Sequence, residues 1–160
     1  MTDKFNYKFY CKKCHQVNTD IDEHRSEYGC CSDSLLLVPE DLICVVDRLV
    51  DLGFEISISG CLEDPSNCDE QQIESELCIY IVLAVQYPQS LFDDDMPQGW
   101  LYRTGTARNG HTTTAITNTQ IKHWNSLEEK RRYLRTAAAE FVKYLKSKDR
   151  GGTRAVLMLM

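Results

Sequence analysis

No run of apolar residues in this chain is long enough to span a bilayer. The longest, Leu77 to Val85, is interrupted by Tyr80, and a membrane helix needs about 20 predominantly apolar residues. The opening residues Met-Thr-Asp-Lys-Phe-Asn-Tyr contain no apolar stretch of a secretory signal, so a soluble, cytoplasmic protein without membrane partners is expected. Glycine-rich fingerprints are missing as well. There is no dinucleotide-binding Gly-x-Gly-x-x-Gly, no phosphate-binding P-loop and no Gly-x-Ser-x-Gly elbow, so nothing in the sequence points to the chemistries those turns serve. No zincin or deaminase pattern frames Glu23 and His24, and no repeat or low-complexity tract is visible. Positive charge is the scarcer sign, with 18 Lys plus Arg against 24 Asp plus Glu. The resulting charge of −6 works against non-specific binding to nucleic acid, whose affinity comes largely from cations on phosphates.

What is present fits one domain, 1–160, of ordinary globular composition, 42% hydrophobic and 26% charged. The charge is split along the chain. Asp20 to Glu76 holds 16 acidic residues against Arg25 and Arg48, a balance of −14, whereas Lys122 to the C-terminus carries a balance of +6. Such a division predicts either contact between the two parts or separate interaction surfaces. For the second case Glu63, Asp64, Asp69 and Glu70 are the expected partner-facing acids.

Eight cysteines are unusual for a chain expected in a reducing compartment. Cys11-Lys-Lys-Cys14 offers two thiolates at i and i+3, a spacing that lets both reach one tetrahedral zinc, with Cys30 and Cys31 as further ligands. A structural zinc, buried thiols without metal and a disulfide all remain open. The subregion 1–33 has few apolar residues to order it, so the metal reading also predicts how that segment is held.

Alternation predicts a strand over Phe5 to Phe9 and another over Phe54 to Gly60, with Phe54, Ile56 and Ile58 inward. Between them Leu42, Val45, Val46, Leu49 and Val50 recur at helical spacing and Gly53 supplies a stop. Leu77 to Tyr87 is the strongest strand, apolar and β-branched enough for a central place. Asn109-Gly110 between Trp100–Ala107 and His111–Thr117 is a hairpin signal, because a type I′ turn needs positive φ at both positions. A two-residue turn there would pair Arg108 with His111 and put Tyr102, Thr104, Thr106, Thr113 and Thr117 on one face, with Arg103 opposite or at the edge. That face is the expected site for a nucleotide-like anion, the ligand residues being Tyr102, Arg103, Arg108, His111 and Thr113.

Ser126 with Glu129 opens a basic amphipathic helix over 126–148, which Gly151-Gly152 should end, leaving Ala155 to Met160 as an added edge strand. The order of elements predicts an α+β fold, an antiparallel sheet with two main helices packed on it and an N-terminal Cys-rich, zinc-stapled loop.

Four pieces between Leu42 and Trp100 resemble small bacteriophage-type accessory proteins: Leu49-Val-Asp-Leu-Gly-Phe54, Ser59-Gly-Cys61, Ile79-Tyr-Ile81 and Met96-Pro-Gln-Gly-Trp100. Those proteins carry a Cys-x-Gly-His turn where this chain has Cys61-Leu-Glu-Asp64. The resemblance implies a phage-type accessory protein and names no activity. The small single domain, the lack of a catalytic signature and the acidic surface favour a non-enzymatic protein that binds a host macromolecule in the host cytoplasm and modulates or inhibits it, a host protein being the expected partner. The alternatives are a nucleotide-like anion-binding module and a metal-dependent enzyme.

Overall fold

A computed structural model of the chain describes residues 5–19, 34–63, 75–92, 96–106, 110, 112–148 and 150–160. It has an α+β architecture built on two antiparallel sheets rather than one. The smaller sheet has the order β2-β1-β3, with β1 Tyr7–Cys11, β2 Val17–Asn18 and β3 Leu35–Pro39. The larger has the order β4-β5-β7-β6, from β4 Ile56–Glu63, β5 Ser75–Leu83, β6 Trp100–Thr106 and β7 Thr112–Lys122.

The first helix, α1 Ile43–Leu52, follows β3 through a 3-10 turn at Glu40–Leu42. It ends at Gly53 with φ 106°, where Gly53 N–H donates to Val50 O and Phe54 N–H to Leu49 O, both at 3.0 Å. That pair is a Schellman cap, and the positive φ is why glycine stands there.

The long basic helix α2 spans Leu127–Ser147 as expected, and Ser126 Oγ accepts the Glu129 N–H at 3.2 Å. The Glu129 carboxylate reaches back to the Asn125 N–H at 2.7 Å. Leu134, Ala138, Phe141 and Leu145 form its buried stripe. Leu77, Ile79, Ile81 and Leu83 of β5, one of the two interior strands, are buried in the same cluster. Trp100 ties sheet to helix, its ring 4.5 Å from Phe141 and its Nε1–H on Ala137 O at 3.2 Å.

Three expectations give way. The inward run Phe54, Ile56, Ile58 breaks at a register shift between Ile56 and Ile58. The extra residue flips the phase, so that Ile56 is 1% exposed and Ile58 56%. The C-terminal residues form a helix, α3 Arg150–Met158, not an edge strand, and Gly151-Gly152 lie inside it. Helical spacing brings Arg150 and Arg154 onto Asp51 and sets Leu157 against Gly53, contacts that outweigh the helix cost of two glycines. The hairpin is also shifted. Thr106 pairs with Thr112 and Tyr102 with Ile116, one residue from the predicted register, and a one-residue slip exchanges the faces.

Candidate functional site

β1 delivers Cys11 into a turn, Lys12 to Cys14, that returns along β2. His15 N–H donates to Cys11 O at 2.8 Å and Cys11 N–H to Gln16 O at 3.0 Å. His15 takes a left-handed φ of 64°, which turns its ring toward the polar face of α1. There Asp47 receives two groups on one oxygen: Tyr10 Oη–H at 2.7 Å and His15 Nδ1 at 2.6 Å, with Tyr10 Oη and His15 Nδ1 only 2.9 Å apart. Tyr10 has one proton and gives it to Asp47, so the short Nδ1 contact requires the imidazole proton on Nδ1. Nε2 is then the nitrogen left for other chemistry. Burial first, and the Asp47 carboxylate second, push the Tyr10 phenol far above its ordinary range, which keeps it a donor.

His15 and Asp47 of this triad border a cavity of about 300 Å³ also lined by Cys44, Arg48, Asp51, Val142 and Lys146. It brings together a thiol, an imidazole–carboxylate pair and two cations from three separate stretches of chain. Arg48 Nη1 donates to Asp51 Oδ2 at 3.1 Å, while its Nε is buried without a protein partner. Cys44 is no activated nucleophile. Packing around its sulfur raises its pKa, and the Asp41 charge adds to the effect, so the thiol form prevails at neutral pH. The cavity can accept a proton at His15 and attract an anion at Arg48 and Lys146, but it holds its thiol protonated.

The sequence-predicted sites map unevenly onto this structure. Cys11 is buried and Cys14 half-buried in the turn beside His15. Cys30 and Cys31 lie outside the described residues, and among the described residues no group of three or more His, Cys, Asp and Glu is placed to hold a metal. In the hairpin, Tyr102 is buried among Phe54, Tyr87 and Phe92, and its Oη–H donates to Tyr87 O. Thr113 faces the opposite side, shared with exposed Arg103, as Gly105↔Thr113 and Arg103↔Ala115 pairing requires. The two are therefore brought together, and Tyr102 is separated from them. Arg108 and His111 lie outside the described residues. Glu63 ends β4; Asp64, Asp69 and Glu70 fall beyond the described chain.

Tyr10, Asp47 and Lys146 escaped the sequence reading. Asp47 sits on the solvent side of an ordinary amphipathic helix, 32 residues from His15, and no spacing rule joins them. The charge split was a usable signal. Arg131 and Arg135 both bind Asp41, at 3.4 and 3.0 Å, and Arg150 binds Asp51 at 3.0 Å, so the basic end of the chain meets the acidic part directly. No helix among the described residues is long and apolar enough to cross a membrane. No protein-family model, curated protein or solved structure matches this chain.

Proposed function

We propose that this chain is a non-enzymatic, phage-type accessory protein that binds a host protein through its acidic part. The observation that carries the reading is the commitment of the cations. Arg131, Arg135 and Arg150 hold internal carboxylates and Arg154 donates to the Asp51 carbonyl. Cations engaged this way have less to offer phosphates. They answer the side chains of Asp41 and Asp51, two of the sixteen acids between Asp20 and Glu76. The remaining acidic excess suits a basic protein surface, with on-rate as its chief effect. The protonated Cys44 thiol agrees with a binding role over a nucleophilic one.

The test captures host protein on the immobilised full chain and compares it with the variant Glu63→Lys, Asp64→Lys, Asp69→Lys, Glu70→Lys. The reading requires a captured protein whose association slows by about ten-fold or more in the variant and weakens as salt is raised. An unchanged on-rate, or salt-independent capture, refutes it.

A structural zinc on Cys11 and Cys14 is a second reading, supported by the turn itself. Both cysteines lie on one tight reversal whose next residue, His15, takes the positive φ. Zinc content of the purified chain, near one per molecule and lost in Cys14→Ser, supports it; zinc-free protein with an intact turn ends it.

A further inference from the structure

Away from the His15 cavity, Asn118 of β7 is a buried amide in an apolar setting. It is 1% exposed and pairs with Ile79 on one side and Trp100 on the other. Its Oδ1 accepts the Tyr133 hydroxyl at 2.8 Å and the Gln120 amide at 3.3 Å, while its Nδ2 is buried with no partner. A buried amide with an idle donor is costly, and an apolar side chain would serve packing better at this register. Gly99 lies directly over it with φ 90°, and a Cβ there would stand 3.0 to 3.2 Å from Asn118 Oδ1, Asn118 Nδ2 and Gln120 Nε2. The Gly99 backbone thus closes over Asn118, and of the two amides Gln120 is the one that lines the hollow beside it.

Beside Gln120 is a hollow of about 280 Å³, walled by Gln98, Gln120, Tyr133, Thr136, Ala137 and Glu140. A second hollow of about 320 Å³ shares Tyr133 and Thr136 with it and adds Lys122, Glu129 and Arg132. Trp124 packs edge-on against Tyr133 at 5.7 Å, holding that ring as the wall between the two. One hollow therefore holds two amides and a carboxylate; its neighbour holds Arg132 beside the Lys122–Glu129 pair.

We infer that this cleft between β7 and α2 binds a nucleoside phosphate whose base carries an exocyclic amine. Side-chain amides offer the paired donor and acceptor that base edges complement. Glu140, acceptor-only when ionised, favours an amine over a carbonyl at the far edge. The Tyr133 face gives the base a surface to stack on. The phosphate falls toward the second hollow, where exposed Arg132 is the principal donor, because Lys122 already pairs with Glu129 at 3.2 Å. The inference does not depend on the acidic-surface reading, and none of the hairpin residues Tyr102, Arg103, Arg108, His111 and Thr113 takes part in it.

Calorimetric titration of the full chain with adenosine monophosphate, uridine monophosphate, adenosine and inorganic phosphate tests it. The expected order places adenosine monophosphate at least about ten-fold tighter than each of the other three. Arg132→Ala should bring adenosine monophosphate down to the affinity of adenosine and leave adenosine unchanged. Gln98→Ala, at an exposed rim position, should weaken both by about ten-fold. Circular dichroism checks that the two surface variants are folded. Equal binding of the two nucleotides, affinity unmoved by either variant, or no saturable binding below millimolar concentration overturns the inference.

Discussion

Gly99 and Cys44 show how single residues are constrained here. An alanine at Gly99 meets two penalties together, the left-handed φ of 90° and contact with the Asn118 and Gln120 amides. Gly99→Ala should therefore destabilise the fold by about 1–3 kcal/mol, read as a lowered denaturant midpoint with unchanged slope. A midpoint equal to that of the native chain would mean the backbone relaxes there without cost. For Cys44 the raised pKa predicts slow alkylation. Followed by peptide mass spectrometry, its reaction with iodoacetamide should still be rising above pH 9, the thiol's ordinary value, because the thiolate is the reacting form. A plateau below pH 8 would show an activated sulfur and reopen an enzymatic role for the cavity.

At the level of elements, α2 rests on its N-terminal cap. Ser126→Ala removes the acceptor for the Glu129 N–H and should cost about 1 kcal/mol. Asn125 N–H and Lys122 hold the Glu129 carboxyl below its ordinary 4.5. Since the folded value is the lower one, the stabilisation is complete above pH 4.5 and is lost as pH falls through the folded value. Amide exchange in the first turn of α2 should accordingly speed up in that acid range, and no change there would remove the carboxylate from the cap. This helix was legible to the residue because its cap, its stripe and its charges all agree. β5 was legible for the same reason, being apolar enough to need cover on both sides. β3 was not, since Leu-Leu-Leu-Val-Pro has no alternation and its partner β1 lies some 25 residues earlier in sequence. The hairpin is legible but its register is not, and the residues expected on one face divide between two. One extra loop residue decides which side chains point inward, and turn composition alone does not count it. α3 is not legible because its glycines argue against a helix locally, while Asp51 and Gly53, which anchor it, are about 100 residues away.

For the whole molecule, two properties follow from burial and charge. Tyr7, Tyr10, Tyr80, Tyr87, Tyr102 and Tyr133 are all held above their ordinary pKa of 10, burial being the largest cause at each. The folded values are the higher ones, so this stability is complete below pH 10 and disappears as pH rises through them. Phenolate absorbance and the far-ultraviolet dichroism should then change together in one alkaline step; phenolates titrating near 10 with the dichroism intact would exclude that coupling. The charge split between the two ends of the chain was plain in the sequence, and the structure resolves part of it inward, at Asp41 and Asp51. What is left over defines the proposed role. Fluorescence anisotropy of a lysine-rich peptide and of a short DNA duplex, each titrated with the full chain at low and at physiological salt, addresses it most directly. The peptide should bind, weaken as the screening length falls to about 8 Å, and lose affinity with the Glu63, Asp64, Asp69 and Glu70 reversal, while the duplex stays unbound. Binding of the duplex, or of the peptide with no response to salt or to the reversal, would overturn the proposal that the acidic part is the working surface.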